Sequence, residues 1–190
     1  MRKWMLATLA CVMAGFLGWT LIGILRAEEP APTPAPAPAG PTMLFDFENE
    51  DDVKKCEAKP NTETAPSAEH ATSGKQSLKV TLKPDGEYPG LYIEKFPTKD
   101  WSGFSALKFD VFADEAFVLA MTVKDVSSKD YATRYNNDKI ELNKGANTVV
   151  ITLGDVGDKI DVKKIKSMTI FASKVDKART FYLDNVRLEK

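Results

Sequence analysis

From Met43 onward the chain falls into short runs in which apolar and polar side chains alternate. Residues 77–82 place Leu78, Val80 and Leu82 on one face, and residues 107–111 do the same with Leu107, Phe109 and Val111. Phe117, Leu119, Met121 and Val123 continue the pattern, followed by Val149, Ile151 and Leu153, and then by Phe181 with Leu183. A period of two sends successive side chains to opposite faces of an extended strand, so each run reads as a strand with one buried face. Between the runs lie turn-forming clusters, among them Ser73-Gly74, Pro84-Asp85-Gly86, Pro89-Gly90, Asn136-Asn137-Asp138, Lys144-Gly145-Ala146-Asn147 and Gly154-Asp155-Val156-Gly157. Only residues 161–167 offer a helical turn, and no amphipathic helix of three turns is visible. Many short strands without a long helix predict an all-β domain, a two-sheet sandwich or jelly roll. In the last run the apolar phase moves from Phe181 and Leu183 to Val186 and Leu188. An extra residue near Asp184-Asn185 accounts for the shift, as in a β-bulge, and bulges re-aim side chains, here Asp184.

The N-terminus has a different pattern. Arg2 and Lys3 precede an apolar run over residues 4–25, and Arg26-Ala27-Glu28 restores polarity. The run exceeds the roughly 7–15 residues of a signal-peptide core and reaches the roughly 20 that span a bilayer, so it reads as an apolar helix that is either a cleaved signal or a retained anchor. Ala27 supplies a small residue for cleavage, and Arg26 is a basic residue on what would be the outer side of an anchor. Either reading places the remainder outside the cytosol. Cys11 lies inside the apolar run with more of that run after it, a poor setting for lipid attachment. Residues 28–42 read EEPAPTPAPAPAGPT, a disordered linker whose prolines favour an extended rod of ~3.1 Å per residue. The expected organisation is therefore a signal peptide or membrane anchor over 1–27, a Pro/Ala linker over 28–42 and one β-sandwich over 43–190.

Charge and cysteine content narrow the function classes. The chain has 26 Lys+Arg and 27 Asp+Glu; without Arg2, Lys3 and Arg26 the exported part keeps 23 against 27, a net charge of −4. Nucleic acid is not an expected partner for such a chain, and a membrane is expected only through the N-terminal segment. Cys56 is the one cysteine after that segment, so the exported part forms no internal disulfide, and Cys56 reads as a small buried apolar residue.

Five stretches occur in an order that resembles a known family. They are Leu44-Phe45-Asp46-Phe47-Glu48, Ser73 to Val80, Asp100-Trp101-Ser102-Gly103-Phe104 with residues 107–111, Lys144 to Thr148, and residues 181–188 with the sequence FYLDNVRL. Together they resemble the galactose-binding-like jelly rolls of carbohydrate-binding modules over residues 43–190. That resemblance implies a structural calcium where the first and last strands meet the Ser73-Gly74-Lys75 turn. Glu48 and Asp184 are the preferred side-chain ligands, with Asp46 beside them, since carboxylates and backbone carbonyls suit a hard cation. The same acids also fit solvated strand ends or lysine partners. In Leu44 to Glu48 a single strand would put Phe45 and Phe47 on one face and Asp46 and Glu48 on the other.

Sugars are held by flat aromatic faces and by polar side chains that bond hydroxyls. Asp125, Tyr131, Arg134 and Tyr135 form the preferred ligand set, with Tyr92 second; the bland alternative has the tyrosines covering sheet edges and Arg134 pairing with an acid. Trp101 is expected to pack across the end of the sandwich. His70 has no cysteine or second histidine near it in sequence, and no G-x-S-x-G, H-E-x-x-H, P-loop or G-x-G-x-x-G occurs. The expected function is non-catalytic binding of a polysaccharide or glycan at the cell envelope. A protein-protein interaction or assembly module on the same fold is the alternative.

Overall fold

The computed structural model describes residues 40–190. The N-terminal apolar segment and most of the Pro/Ala linker lie outside the described residues, and among those described no helix is long and apolar enough to cross a membrane. Eleven strands follow in chain order: β1 Thr42–Phe45, β2 Cys56–Ala58, β3 Thr62–Ser67, β4 Ser77–Leu82, β5 Gly90–Ile93, β6 Ala106–Ala113, β7 Phe117–Asp125, β8 Tyr135–Leu142, β9 Gly145–Thr152, β10 Ile165–Phe171 and β11 Arg179–Glu189. Two short helices, α1 Glu50–Lys55 and α2 Leu153–Gly157, interrupt them. All pairings are antiparallel. One sheet has the order β3-β4-β11-β6-β9 with β1 also paired to β11, and the other has the order β2-β5-β10-β7-β8. The expected two-sheet jelly-roll β-sandwich is the fold of the domain.

The alternating runs supply the core. Leu78, Val80 and Leu82 of β4, Leu107, Phe109 and Val111 of β6, and Phe181, Leu183, Val186 and Leu188 of β11 meet Leu91 and Ile93 of β5, Leu119, Met121 and Val123 of β7, and Met168 and Ile170 of β10. Each such side chain removed from water contributes roughly 1.5–3 kcal/mol before chain entropy is set against it. Trp101 is fully buried, stands edge-on to Phe96 with ring centroids 5.4 Å apart, and donates from Nε1 to the Thr98 carbonyl at 3.2 Å. Cys56 is buried as a free thiol.

The bulge expected near Asp184-Asn185 is present. The pairing of β11 with β6 shifts between Asp184 and Arg187, and Asn185 adopts a left-handed backbone with φ 53°. The extra residue restores Val186 and Leu188 to the core face.

Three local expectations are corrected. Residues 161–164 form a turn closed by the Lys164 N–H on the Asp161 carbonyl, and β10 begins at Ile165, so no helical turn occupies 161–167. The helices instead arise at Glu50–Lys55, where Asn49 accepts from the Asp52 N–H at 3.0 Å as an N-cap, and at Leu153–Gly157. Asn136-Asn137-Asp138 lies within β8, because pairing with β7 overrides the turn preference of these residues. β1 stops at Phe45, and Phe47 turns to φ 56° so that both rings reach the core, 6.2 Å apart. Asp46 and Glu48 therefore follow the strand instead of sharing one of its faces.

Candidate functional site

The strand alternation that buries one face of the β2-β5-β10-β7-β8 sheet sends its other side chains outward. Ala120 and Thr122 of β7 face away from the core beside their cross-strand partners Phe171 and Thr169 of β10. These four form the floor of a cleft of about 630 Å³. Lys59, Tyr88 and Ser173 stand on the β2-β5 side, and Tyr131, Arg134 and Asp138 on the β8 side. Tyr88 and Tyr131 are exposed, and Tyr88 meets Phe171 edge-on at 5.7 Å. The floor is close-packed at Gly90, where a Cβ would lie 2.1 Å from the Ile170 carbonyl oxygen and 2.5 Å from the Phe171 Cα, so β5 approaches β10 as only glycine permits. The volume and the mixture of aromatic and hydroxyl lining match a small-ligand cleft.

The wall bearing Tyr131 and Arg134 is held rigid from below. Asp125 Oδ1 accepts from the N–H groups of Ser127 and Ser128, each at 2.8 Å, and from their hydroxyls at 2.8 and 2.9 Å. Its Oδ2 accepts from the Asp161 N–H at 2.8 Å and so ties this loop to the turn before β10. Burial pushes the Asp125 carboxyl up, but the hydrogen bonds from Asp161, Ser127 and Ser128 outweigh it, and the group sits at about 2. Further along, the Thr133 hydroxyl accepts from the Lys129 and Asp130 N–H groups, and Asn136 Nδ2 donates to the Tyr131 carbonyl at 3.0 Å. Tyr131 donates its hydroxyl to Asp138 at 2.7 Å, and the Arg134 guanidinium lies 5.0 Å from the Tyr131 ring centre.

Of the expected ligand set, Tyr131 and Arg134 line this cleft. Asp125 does not: it is 2% exposed, and its oxygens are committed to the loop, so it positions the wall instead of meeting a ligand. Tyr135 is also turned aside, because it pairs with Val123 and packs against the core, where burial and then the charge of Asp155 raise its phenol. Tyr92 pairs with Thr169 and so shares the outward face, further along the sheet, with its hydroxyl donated to Glu94 at 3.1 Å. Arg134 has an amide partner, not an acid: its Nε donates to Asn136 Oδ1 at 2.9 Å. Sequence reasoning missed Lys59, Thr122, Thr169 and Phe171, and left Tyr88, an aromatic flanking the Pro89-Gly90 turn, out of the preferred set. The outward phase of β7 and β10, opposite the apolar phase, was the available signal for Thr122, Thr169 and Phe171.

Glu48 and Asp184 come to the same loop at the other sheet. Glu48 Oε1 accepts from the Lys75 and Gln76 N–H groups at 2.6 and 2.7 Å, while Asp184 Oδ2 accepts from the Thr72 and Ser73 N–H groups at 2.6 and 2.8 Å. Gly74, at φ 67°, lies so close to Glu48 that a Cβ would fall 2.4 Å from the Glu48 Cδ. The Thr72 hydroxyl has one proton for two carboxylates, Asp110 at 3.0 Å and Asp184 at 3.2 Å. Asp184 is 1% exposed, and burial raises its pKa despite the hydrogen bonds it accepts. Asp46 stands apart from this loop and accepts from the Glu48 N–H at 3.2 Å. Among the described residues no three His, Cys, Asp or Glu side chains gather as a metal-binding group. His70 instead stacks on Phe112, with ring centroids 3.5 Å apart.

The family of carbohydrate binding domains numbered 11 matches residues 29–187. No curated protein matches the chain. Among solved structures, an exo-beta-agarase superposes with a TM-score of 0.64 at 20% identity over 78% of this chain, which spans only 25% of that enzyme. The family 11 carbohydrate-binding module from Clostridium thermocellum, in complex with a β-1,3-1,4-mixed-linked tetrasaccharide, superposes with a TM-score of 0.57 at 19% identity, covering 79% of this chain and 95% of that one. The solution structure of CtCBM11 gives 0.60 at 18% identity, covering 82% and 98%. At these identities the structural likeness is one of fold, whereas the family match extends over most of the sequence. The chain belongs to family 11 of the carbohydrate binding domains.

Proposed function

We propose that this protein is a non-catalytic glycan-binding domain, exported to the cell envelope, that holds a polysaccharide across the outward face of the β2-β5-β10-β7-β8 sheet. The observation that carries this reading is the cleft itself: the aromatic rings of Tyr88, Tyr131 and Phe171 stand around a floor that offers the Thr122 and Thr169 hydroxyls. Rings cover the apolar C–H faces of sugars, and hydroxyls answer their O–H groups. The mixed-linkage tetrasaccharide in the complex of the C. thermocellum module supports the ligand class. Asp138 is the one carboxylate among the lining residues, and Tyr131 holds it, so the cleft has no acid pair to flank a glycosidic bond. Export is supported by the basic and apolar N-terminus, and outward presentation by the Pro/Ala linker.

Affinity electrophoresis of the full chain in gels containing soluble glucans, mannans or xylans tests the reading. Retardation by at least one glycan, lost in Tyr131→Ala, is the expected result. No retardation in any gel, together with co-purification of an envelope protein, would replace it with the interaction-module alternative.

A structural calcium belongs to the same proposal. Glu48 and Asp184 brace residues 72–76 from two strands, and the desolvated Asp184 carboxylate beside Asp110 is chemistry that suits a hard, oxygen-seeking ion. The loop now offers them N–H groups, so an ion there would need backbone carbonyls for most of its remaining ligands. Adding EGTA should lower the thermal midpoint by about 5 °C or more. An unchanged midpoint removes the ion.

A further inference from the structure

Two cations line the cleft from opposite sides. Lys59 directly follows β2, with its Nζ 5.3 Å from the Phe171 ring centre and 5.9 Å from that of Tyr88. Arg134 directly precedes β8, with its guanidinium over Tyr131. Several other cations of this domain pair with carboxylates, as in Lys55 with Asp52, Lys108 with Glu189 and Arg179 with Glu115. Neither cleft cation has a carboxylate partner among the described residues. Arg134 spends Nε on Asn136 and has no acceptor for its two terminal nitrogens among those residues. Asp138, the one carboxylate of the lining, makes an ion pair with neither and accepts from the Tyr131 hydroxyl. The pair also interact: burial first, and then the charge of Arg134, lower the pKa of Lys59. Two like charges held on aromatic walls, neither of them in an ion pair, form a receptor for an anion, which would relieve their mutual repulsion.

The Thr122 and Thr169 hydroxyls on the floor, and the rings around them, meet the neutral part of a sugar. The cations ask for something more. Resting on the glycan-binding reading of this same cleft, we propose that its ligand is an acidic saccharide, a chain whose sugars carry carboxylate or sulfate ester groups. The anionic group sits between Lys59 and Arg134 while the ring lies against the aromatic walls. A neutral glycan would cover both cations without pairing either, and desolvated charges left unpaired weaken binding. The whole chain carries a net charge of −1, so general adhesion to polyanions does not account for such a preference.

Affinity electrophoresis of the full chain tests this with matched gels: polygalacturonate and its methyl ester, a sulfated galactan and neutral agarose, and a neutral mixed-linkage glucan. The expected result is binding about tenfold tighter to a charged polymer than to its uncharged counterpart. Lys59→Met and Arg134→Gln, which keep side-chain bulk, should each reduce that preference about tenfold. Response to polygalacturonate alone identifies a carboxylate, and response to the sulfated galactan alone identifies a sulfate ester; either supports the proposal. Equal binding of charged and uncharged members overturns it and leaves the glycan-binding reading intact. A charge preference that survives both substitutions also overturns it, because the charge would then be read elsewhere. No retardation in any of these gels, nor in the mannan and xylan gels, removes both readings.

Discussion

Replacing Asp125 by asparagine keeps the outline of the side chain, removes its charge and puts an amide nitrogen where one oxygen now accepts. The native carboxylate receives hydrogen bonds from three backbone N–H groups and two hydroxyls at 2.8 to 2.9 Å and is 2% exposed. Its pKa falls from 3.8 to about 2, which corresponds to roughly 2.5 kcal/mol of stabilisation at ~1.4 kcal/mol per tenfold change in proton affinity. A depressed carboxyl stabilises the fold above the unfolded-state value, and the contribution disappears as pH falls through the folded-state value. Asp125→Asn should therefore cost about 2 kcal/mol near pH 7, and roughly half of that gap should remain near pH 3. Urea titration at the two pH values measures both. Equal stability of variant and parent near pH 7, or a gap that does not narrow with acid, would refute the assignment. Because the same carboxylate secures the wall bearing Tyr131 and Arg134, glycan retardation should weaken in the variant under conditions where it is still folded.

Other consequences are independent of this one. Gly90→Ala should destabilise the domain by more than ~3 kcal/mol in urea, since the added carbon has no space between Ile170 and Phe171. The Cys56 thiol is pushed up to about 12 by burial and then by the charge of Asp52, so a thiol reagent should label it only after denaturant is added; labelling of the folded protein near neutral pH would contradict its placement. Phe171→Ala should reduce glycan affinity about tenfold or more, and unchanged retardation would move the ligand off this face.

The sandwich was legible because its strands advertise themselves. A run such as 77–82 admits only one register in which all its apolar groups are buried, and the phase slip between Leu183 and Val186 located the bulge. β8 was opaque for the opposite reason: it is an edge strand, paired only to β7, and its first five residues are polar or half-exposed, so no alternation survives to mark it. The cleft was half legible. Tyr131 and Arg134 stood out as aromatic and cationic groups in one polar stretch, but Lys59, Tyr88 and Phe171 belong to segments that only the strand order brings together. Asp125 misled because its residue type suits a sugar hydroxyl as well as a backbone N–H. The Asp-Val-Ser-Ser sequence, with hydroxyls two and three residues on, is itself the mark of a self-bonded turn.

The strand that joins β1, β4 and β6 is β11, the last of the eleven in chain order. Until it arrives, the β3-β4 and β6-β9 pairs have no strand to join them, and each leaves an unsatisfied edge. A nascent or truncated chain that stops before Arg179 therefore carries half of its sandwich as loose, adhesive ribbons. Assembly of that sheet is a terminal event of synthesis, slowed by the distance along the chain between its first strand and its last.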